Sequence, residues 1–515
     1  MTQKPVNPWI VAIAVMFATF MEVLDTTVVN VSLPHIASSM AATTEEATWG
    51  LTSYLVANAI ILPMTGWLAQ TFGRKRLLMM STAGFTLASL LCGAAPNLSS
   101  LVIFRIIQGA TGGALQPLSQ AVLLESFKPE DRGRAMGFWG LGIVVAPILG
   151  PVVGGWLTEN YSWRWVFYIN LPFGAASLLM TRTFVFDPPY LRKESKGIDY
   201  WGMGLLVVGI GALQYVLDKG QQDDWFSSQA ILVLSIVSAI ALTALIVQQY
   251  RSPNPLVDLK LFKDRTYSVG VFLMTVLGFV LYGSLVLLPV MLQTLFGYTS
   301  YEAGKTMVPR GVGSLFMMPA VGILTGFVDP RRLLVIGLAV GGGTLVWLGQ
   351  LNLHAGYWDI FWPQLLQGLG LALLFVPLTT VSMANVSPER MGYATSLFNL
   401  MRNIGGSVGI AVTATMLQRE RQAIGARLGE QISPYDPVTQ SMVAQLKGAM
   451  IAAGSDAVSA TQRAYMLVHG LLLRESSMVA FVWLFRVLGA VFLCMIPLVL
   501  LMRRPKGRVS AAGAH

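Results

Sequence analysis

Apolar runs long enough to cross a bilayer recur along the whole chain. A crossing needs about 20 residues at a rise of 1.5 Å each. Such runs fall at about 9–33, 48–70, 77–95, 98–124, 135–157, 165–186, 199–217, 228–250, 268–296, 303–327, 332–351, 360–382, 394–417 and 479–502. They are continuous and not alternating, which argues against a barrel. Charged residues make up only 12% of the 515-residue chain, roughly half the fraction usual in soluble domains. The expected fold class is therefore an all-α polytopic membrane protein with 14 transmembrane helices. The first run is too long for the apolar core of a signal peptide, and no small-x-small site follows it, so it reads as the first span.

The formal net charge is +10. In a soluble protein that would suggest nucleic acid; here the placement of the charge argues for topology, and no nucleic-acid partner is expected. Twenty-two Lys and Arg fall in the termini and the even-numbered connections: Lys4; Arg74, Lys75 and Arg76; Lys128, Arg132 and Arg134; Arg182, Arg192, Lys193 and Lys196; Arg251, Lys260, Lys263 and Arg265; Arg331 and Arg332; Arg390; Arg503, Arg504, Lys506 and Arg508. The short odd-numbered loops hold only Arg164, Lys219 and Lys305. That bias predicts both termini on the cytoplasmic side. Cys92 and Cys494 lie in apolar runs, four His lack ligand spacing, and no metal is expected. No nucleotide-binding P-loop is present, which disfavours ATP-driven transport. No nucleophile constellation and no soluble domain point to an enzyme or a receptor.

The chain repeats itself. Gly66–Leu78 aligns with Gly322–Leu334 at an offset of 256, and Arg105, Gln108 and Gly109 align with Gln364, Gln367 and Gly368 at 259. Pro129, Glu130, Gly133 and Ala135 align with Pro388, Glu389, Gly392 and Ala394, again at 259. The expected organisation is two six-helix bundles in the same orientation, residues 1–186 and 267–515. A linker at 187–266 would carry two inserted transmembrane helices. Parallel halves with a site between them at mid-membrane are the layout of a rocker-type transporter. A long outside loop at 418–478, with helix-like stretches at 440–451 and 457–473, is expected in the second half.

The first run carries two acids, Glu22 and Asp25. An acid at membrane depth is costly and by default functional. Three residues apart, the two face nearly the same way on a helix. Matching Leu33-Pro34 with Leu288-Pro289 sets Asp25 opposite Val280, and Arg105 falls opposite Gln364. The embedded charges thus belong to the first half. Asp25 and Arg105 fall at matching depth and are expected to pair directly, through Gln108, or through water. The alternative is a static structural ion pair. Burial favours a protonated carboxyl and a nearby Arg an ionised one, so moving Arg105 relative to Asp25 would switch proton affinity. Glu22 would share the proton as a coupled group, meet a cationic drug, or simply sit hydrated in an open cavity.

Asn30, Gln108, Gln116, Phe279, Tyr282, Gln293, Arg310, Phe375 and Asn399 are candidate cavity residues, Arg310 for an acidic partner or an anionic substrate. Phe279, Tyr282, Gln293 and Phe375 each have helix packing as the plainer reading. Arg402 is expected to snorkel or to act at a gate, and Arg486 to snorkel. Twenty-five Met and 24 Phe suit an adaptable cavity and are equally ordinary in a membrane core.

Three motifs sit where such a transporter would change shape. Gly66, Gly73, Arg74, Lys75 and Arg76 mark the turn between spans 2 and 3. Arg105, Gln108 and Gly109 lie in span 4. Pro147, Gly150, Pro151, Gly154 and Gly155 make span 5 a thin helix that a neighbour approaches closely. Together they resemble the A, B and C motifs of the major facilitator superfamily. Leu24–Pro34, Trp163–Gly174, Gly197–Asp199 and Leu217–Trp225 resemble the fourteen-span drug:proton antiporters, in their EmrB-like branch. Gln70 stands where the A motif has an acid, and Ala146 where the C motif has Gly.

The resemblance implies a major facilitator fold and a proton-coupled antiporter, driven by the proton gradient without a cofactor, which exports amphipathic drugs or toxic compounds across a bacterial inner membrane. It also implies a periplasmic membrane-fusion adaptor and an outer-membrane channel as partners, with the long outside loop as the place where the adaptor docks. An exporter of one endogenous class, such as fatty acids or a siderophore, is the other reading.

Overall fold

The computed structural model describes residues 7–187, 199–430, 432 and 435–502. Lys4, Arg192, Lys193, Lys196, Gly197 and the cations beyond Met502, used above, lie outside them.

The longer helices run in chain order as α1 Pro8–Ser39, α2 Trp49–Phe72, α3 Arg74–Ala94, α4 Leu98–Gly112, α5 Leu115–Ser126, α6 Arg132–Asn160, α7 Asn170–Phe184, α8 Tyr200–Lys219, α9 Gln229–Arg251 and α10 Arg265–Leu295. They continue as α11 Ser300–Phe327, α12 Pro330–Leu348, α13 Tyr357–Ser382, α14 Met391–Glu430, α15 Pro437–Ala452 and α16 Ala457–Cys494. Local sequence sets several of these starts. Asn7 Oδ1 accepts from the Trp9 amide at 3.0 Å, with Pro8 opening α1. Thr299 and Glu302 form a reciprocal capping box at the head of α11.

Among the described residues, twelve helices are long and apolar enough to cross a membrane, against the fourteen expected. The fourth of them joins α4 to α5. The two that fall short are α7 and α14. Helix α7 is only 15 residues long, after a separate short turn of helix at Trp165–Tyr168. Helix α14 is 40 residues long and diluted by Arg402, Asn399 and a series of Gly and Ser.

The expected outside loop is mostly helix. Helix α14 runs on to Glu430, and α16 is one continuous helix that includes the last span. Helix α15 packs on α16.

Two seams join the repeats, and they are equivalent. A Cβ on Gly66 of α2 would lie 2.7 Å from Tyr393 Cα on α14, and a Cβ on Gly322 of α11 would lie 2.8 Å from the Gly133 carbonyl on α6. Gly66 aligns with Gly322, and Gly133 with Gly392, so one close approach is used twice with the partners exchanged. Helix α6 is also pressed on α1: Gly150 meets Thr27, and Gly154 meets Val28. Bare glycine surfaces allow both contacts. The inserted pair leans on both repeats, since α8 packs on α2 and on α14. Gln214 Nε2 donates to Ser407 Oγ at 3.0 Å, and Trp225 Nε1 donates to Thr415 Oγ1 at 2.9 Å. Helix α9 turns Ile236, Ile240 and Ile246 outward.

Candidate transport site

Helix α1 carries both acids inward: Asp25 is fully buried and Glu22 is 5% exposed. Arg105 of α4 is fully buried as well, with Nη1 2.5 Å from Asp25 Oδ2. Its Nε donates to the Gly50 carbonyl at 2.8 Å, and Nη1 also donates to Gln108 Oε1 at 2.8 Å. The guanidinium lies 4.1 Å from the Tyr54 ring centre. The other carboxylate oxygen, Oδ1, accepts from Gln108 Nε2 at 2.9 Å and from Asn170 Nδ2 at 2.7 Å. Asn170 Nδ2 donates in turn to Ser89 Oγ at 2.9 Å, and that hydroxyl donates to the Phe167 carbonyl. A buried ion pair repays its desolvation only when hydrogen bonds saturate it, and this carboxylate accepts three. Arg105 Nη2, Asn170 Oδ1 and the Tyr54 hydroxyl are buried in the cluster without a hydrogen-bond partner.

Glu22 lies in a second network that crosses between the repeats. Its Oε1 accepts from Asn58 Nδ2 at 3.1 Å, and its Oε2 from Gln116 Nε2 at 2.6 Å. Gln116 Oε1 accepts from Arg402 Nη2. Arg402 is 2% exposed, so it does not snorkel. It reaches out of α14 into the first repeat, and Gln116 relays it to Glu22. One turn away, Asn399 Nδ2 donates to Gln120 Oε1 at 2.6 Å, and Thr395 Oγ1 donates to the Pro117 carbonyl at 2.9 Å.

The same end of α14 is latched near the basic turn. Arg74 pairs with Glu125 and donates to the Pro388 carbonyl at 3.1 Å. Gln70 Nε2 donates to the Glu389 carbonyl at 3.1 Å and Gln70 Oε1 accepts from Tyr393 at 3.3 Å. Gln70 therefore fastens the repeats with neutral hydrogen bonds where an acid would use charge. Gly73 has φ +87°, which any side chain would strain. The turn it makes places the Lys75 amide 2.8 Å from Asp187 Oδ1. Lys75 Nζ donates to the Arg182 carbonyl at 2.6 Å.

The remaining expected residues divide. Phe375 is buried against Trp139 of the first repeat, ring centres 6.1 Å apart. The Tyr282 ring packs on Gly406, and the half-buried Phe279 side chain packs against the apolar core while its backbone approaches Gly409. Asn30 and Gln293 are exposed. Arg486 is exposed, with Nε donating to the Gly349 carbonyl at 2.6 Å.

Arg310 is 4% exposed, and its Nη1 is buried with no hydrogen-bond partner. Asn58, Tyr54, Ser89 and Asn170 were not singled out from the sequence. For Asn58 and Asn170 the available signal was an amide inside an apolar run; only the fold shows that they face the acids.

The profile of the Major Facilitator Superfamily matches residues 15–410. The chain belongs to that superfamily. It is similar to the Multidrug export protein EmrB of Escherichia coli strain K12, 40% identical over 441 residues, which cover 85% of this chain and 86% of that one. It is also similar to the Fatty acid resistance protein FarB of Neisseria gonorrhoeae, 38% identical over 98% of this chain and 97% of that one. Among solved structures, the human organic anion transporter MFSD10 superposes with a TM-score of 0.61 at 14% identity, covering 96% of this chain and 99% of that one. The proton:xylose symporter XylE superposes at 0.59 and 16%, covering 81% and 90%. These two show the fold alone. This superfamily member is a multi-pass membrane protein of a transporter family.

Proposed function

We propose that this transporter exports amphipathic drugs or toxic compounds by proton-coupled alternating access. Support for export comes from the relatives named for multidrug export and, in Acinetobacter baumannii, for colistin resistance. The observation that carries the coupling is the buried Asp25–Arg105 pair. In the arrangement seen here the Asp25 carboxylate is saturated by three donors. A shift of α1 against α4 and α7 inside the first repeat, driven by the rocking of the repeats, draws Arg105, Gln108 and Asn170 off the carboxylate, and an uncompensated carboxylate in a poorly hydrated site takes up a proton. The return stroke brings Arg105 back and expels it. Loading outside and release inside make export downhill. Glu22 links the same event to the seam, because Arg402 of the second repeat holds it through Gln116.

The relatives point to a bacterial inner membrane, and the placement of Lys and Arg argues for both termini on the cytoplasmic side. The helical hairpin after span 13 then faces the periplasm. There it offers α15 and α16 to a membrane-fusion adaptor that leads to an outer-membrane channel. The second reading, export of one endogenous class such as fatty acids, is favoured by the FarB match, which extends over nearly the whole chain, hairpin included.

The test is reconstitution in proteoliposomes with an imposed pH gradient and cationic, neutral and anionic amphiphiles. Gradient-driven uptake of several classes by the native protein, lost in Asp25→Asn, is expected. Retained pH-driven transport in that variant would sink the coupling role. Uptake of one metabolite alone would select the second reading.

A further inference from the structure

The internal repeat gives the first-half acid site a counterpart in the second half, and its chemistry is inverted. In the first half, Gly109 of α4 packs under the Tyr54 carbonyl of α2; in the second, Gly368 of α13 packs under the Arg310 carbonyl of α11. Gly109 aligns with Gly368, and Tyr54 with Arg310 at the offset of Gly66 and Gly322. The same helix crossing is thus built twice. Where Arg105 and Gln108 stand, the second half has Gln364 and Gln367; where Asp25 stands it has the buried Val280.

Two polar atoms at this crossing are unmatched. Arg310 Nη1 is buried with no hydrogen-bond partner, and so is Gln364 Oε1. Gln364 is 1% exposed and Gln367 is 4% exposed, and Gln364 Nε2 donates to Gln367 Oε1 at 3.3 Å. Among the described residues the buried acids are Glu22, Asp25 and Asp258. The first two are held in the networks above, and Asp258 Oδ2 pairs with Arg390 at 3.3 Å. Of the buried arginines, Arg74 has Glu125, Arg105 has Asp25 and Arg402 has Gln116. Arg310 alone has no such partner among the described residues. An uncompensated cation at membrane depth is costly, and a ligand that supplies the counter-charge is the physical reason to keep one.

We infer that Arg310, with the Gln364–Gln367 pair, is a receptor for the anionic head of an amphipathic substrate, which takes the place that Asp25 fills in the first half. This rests on the exporter reading and names a substrate class for it. Access follows from position. Gly311, the next residue, meets Ile148 of α6 across the seam between the repeats, so rocking opens the structure beside Arg310. The guanidinium binds a carboxylate or phosphate in a bidentate manner, and the amide groups of Gln364 and Gln367 supply further donors.

The test measures binding to the purified full chain in phosphatidylcholine nanodiscs, with laurate, 1-dodecanol and added phosphatidylglycerol as probes. Laurate and dodecanol differ in the charged head. Arg310→Gln is expected to weaken laurate at least about tenfold more than dodecanol, the worth of a charge-assisted contact. Arg310→Lys is expected to recover part of that selectivity. Gln364→Glu places a carboxylate at the counterpart of Arg105, which in the first half lies against Tyr54, the counterpart of Arg310, and is expected to lower laurate affinity by a similar factor. Equal losses for laurate and dodecanol in Arg310→Gln, or undiminished laurate binding in Gln364→Glu, would overturn the assignment. Binding of phosphatidylglycerol without laurate would assign the site to a lipid head and overturn it too. If instead the native protein shows no gradient-driven transport of any amphiphile, the exporter reading fails while this binding result stands.

Discussion

At the crossing of α2 with α4, Arg105 lies against the Tyr54 ring and faces Asp25. At the matching crossing of α11 with α13, Arg310 stands where Tyr54 does, and Gln364 and Val280 where Arg105 and Asp25 do. The backbone approach is preserved, because a glycine in α4 and in α13 lets a carbonyl of the neighbouring helix come close in both. The buried charge is not preserved. A duplicated scaffold fixes where side chains meet; the substitutions laid on it decide whether the meeting place holds a matched pair or a lone cation. In the first half the buried charge is matched from within; in the second it is left for something else to match.

The largest effect should fall on the matched pair. Asp25→Asn leaves Arg105 buried without its counter-charge, and a loss of about 3–5 kcal/mol is expected. The double variant Asp25→Asn/Arg105→Gln should melt closer to the native protein in detergent, yet remain uncoupled. If the double variant is as unstable as the single, the pair is not the reason.

The seams give the next test. Gly66→Val and Gly322→Val each force a side chain into backbone, and overpacking costs about 1–3 kcal/mol. The two should lose transport to a similar degree because the seams are equivalent. A disulfide between Gln70→Cys and Glu389→Cys should then form more slowly in Gly66→Val. Unequal transport losses would break the equivalence.

Arg402→Ala should cost about 1.5–3 kcal/mol, since it strips a charged donor from buried Gln116, and thermal melting in detergent reads the loss. Thr415→Val, which removes the acceptor for Trp225, should cost about 1 kcal/mol in the same assay. A larger loss would mean that the inserted helices hold the repeats together rather than lean on them. The smallest effect is expected where the charge is unmatched: Arg310→Gln should leave the melting temperature unchanged or higher. A loss as large as that of Asp25→Asn would show that Arg310 already has a partner, and the contrast between the halves would collapse.

Much of this was legible beforehand. The apolar runs specified a membrane-spanning bundle, and the near-constant offsets specified two repeats. An acid and an arginine at equal depth specified each other, because neither is tolerable alone in hydrocarbon. Other readings failed for a physical reason. Of the two readings of Arg402, snorkelling fails and a gate position stays open: three turns into α14, it is turned inward to Gln116 by the packing of α14 on α5. For Tyr282 the plainer reading, helix packing, is the one the structure shows, with its ring against Gly406. Tyr54, Asn58 and Asn170 give no sign along the chain of which acid they serve.

The sequence by itself determined which residues must avoid lipid, which segments are copies of one another, and that Asp25 has no copy. Those follow from hydropathy and alignment, properties of single positions and fixed spacings. The tertiary structure alone decided which polar atoms are satisfied. A hydrogen bond depends on two side chains brought together from distant segments, such as Gln108 and Asn170 on Asp25. Only the same completed packing leaves Arg310 Nη1 and Gln364 Oε1 buried and unanswered.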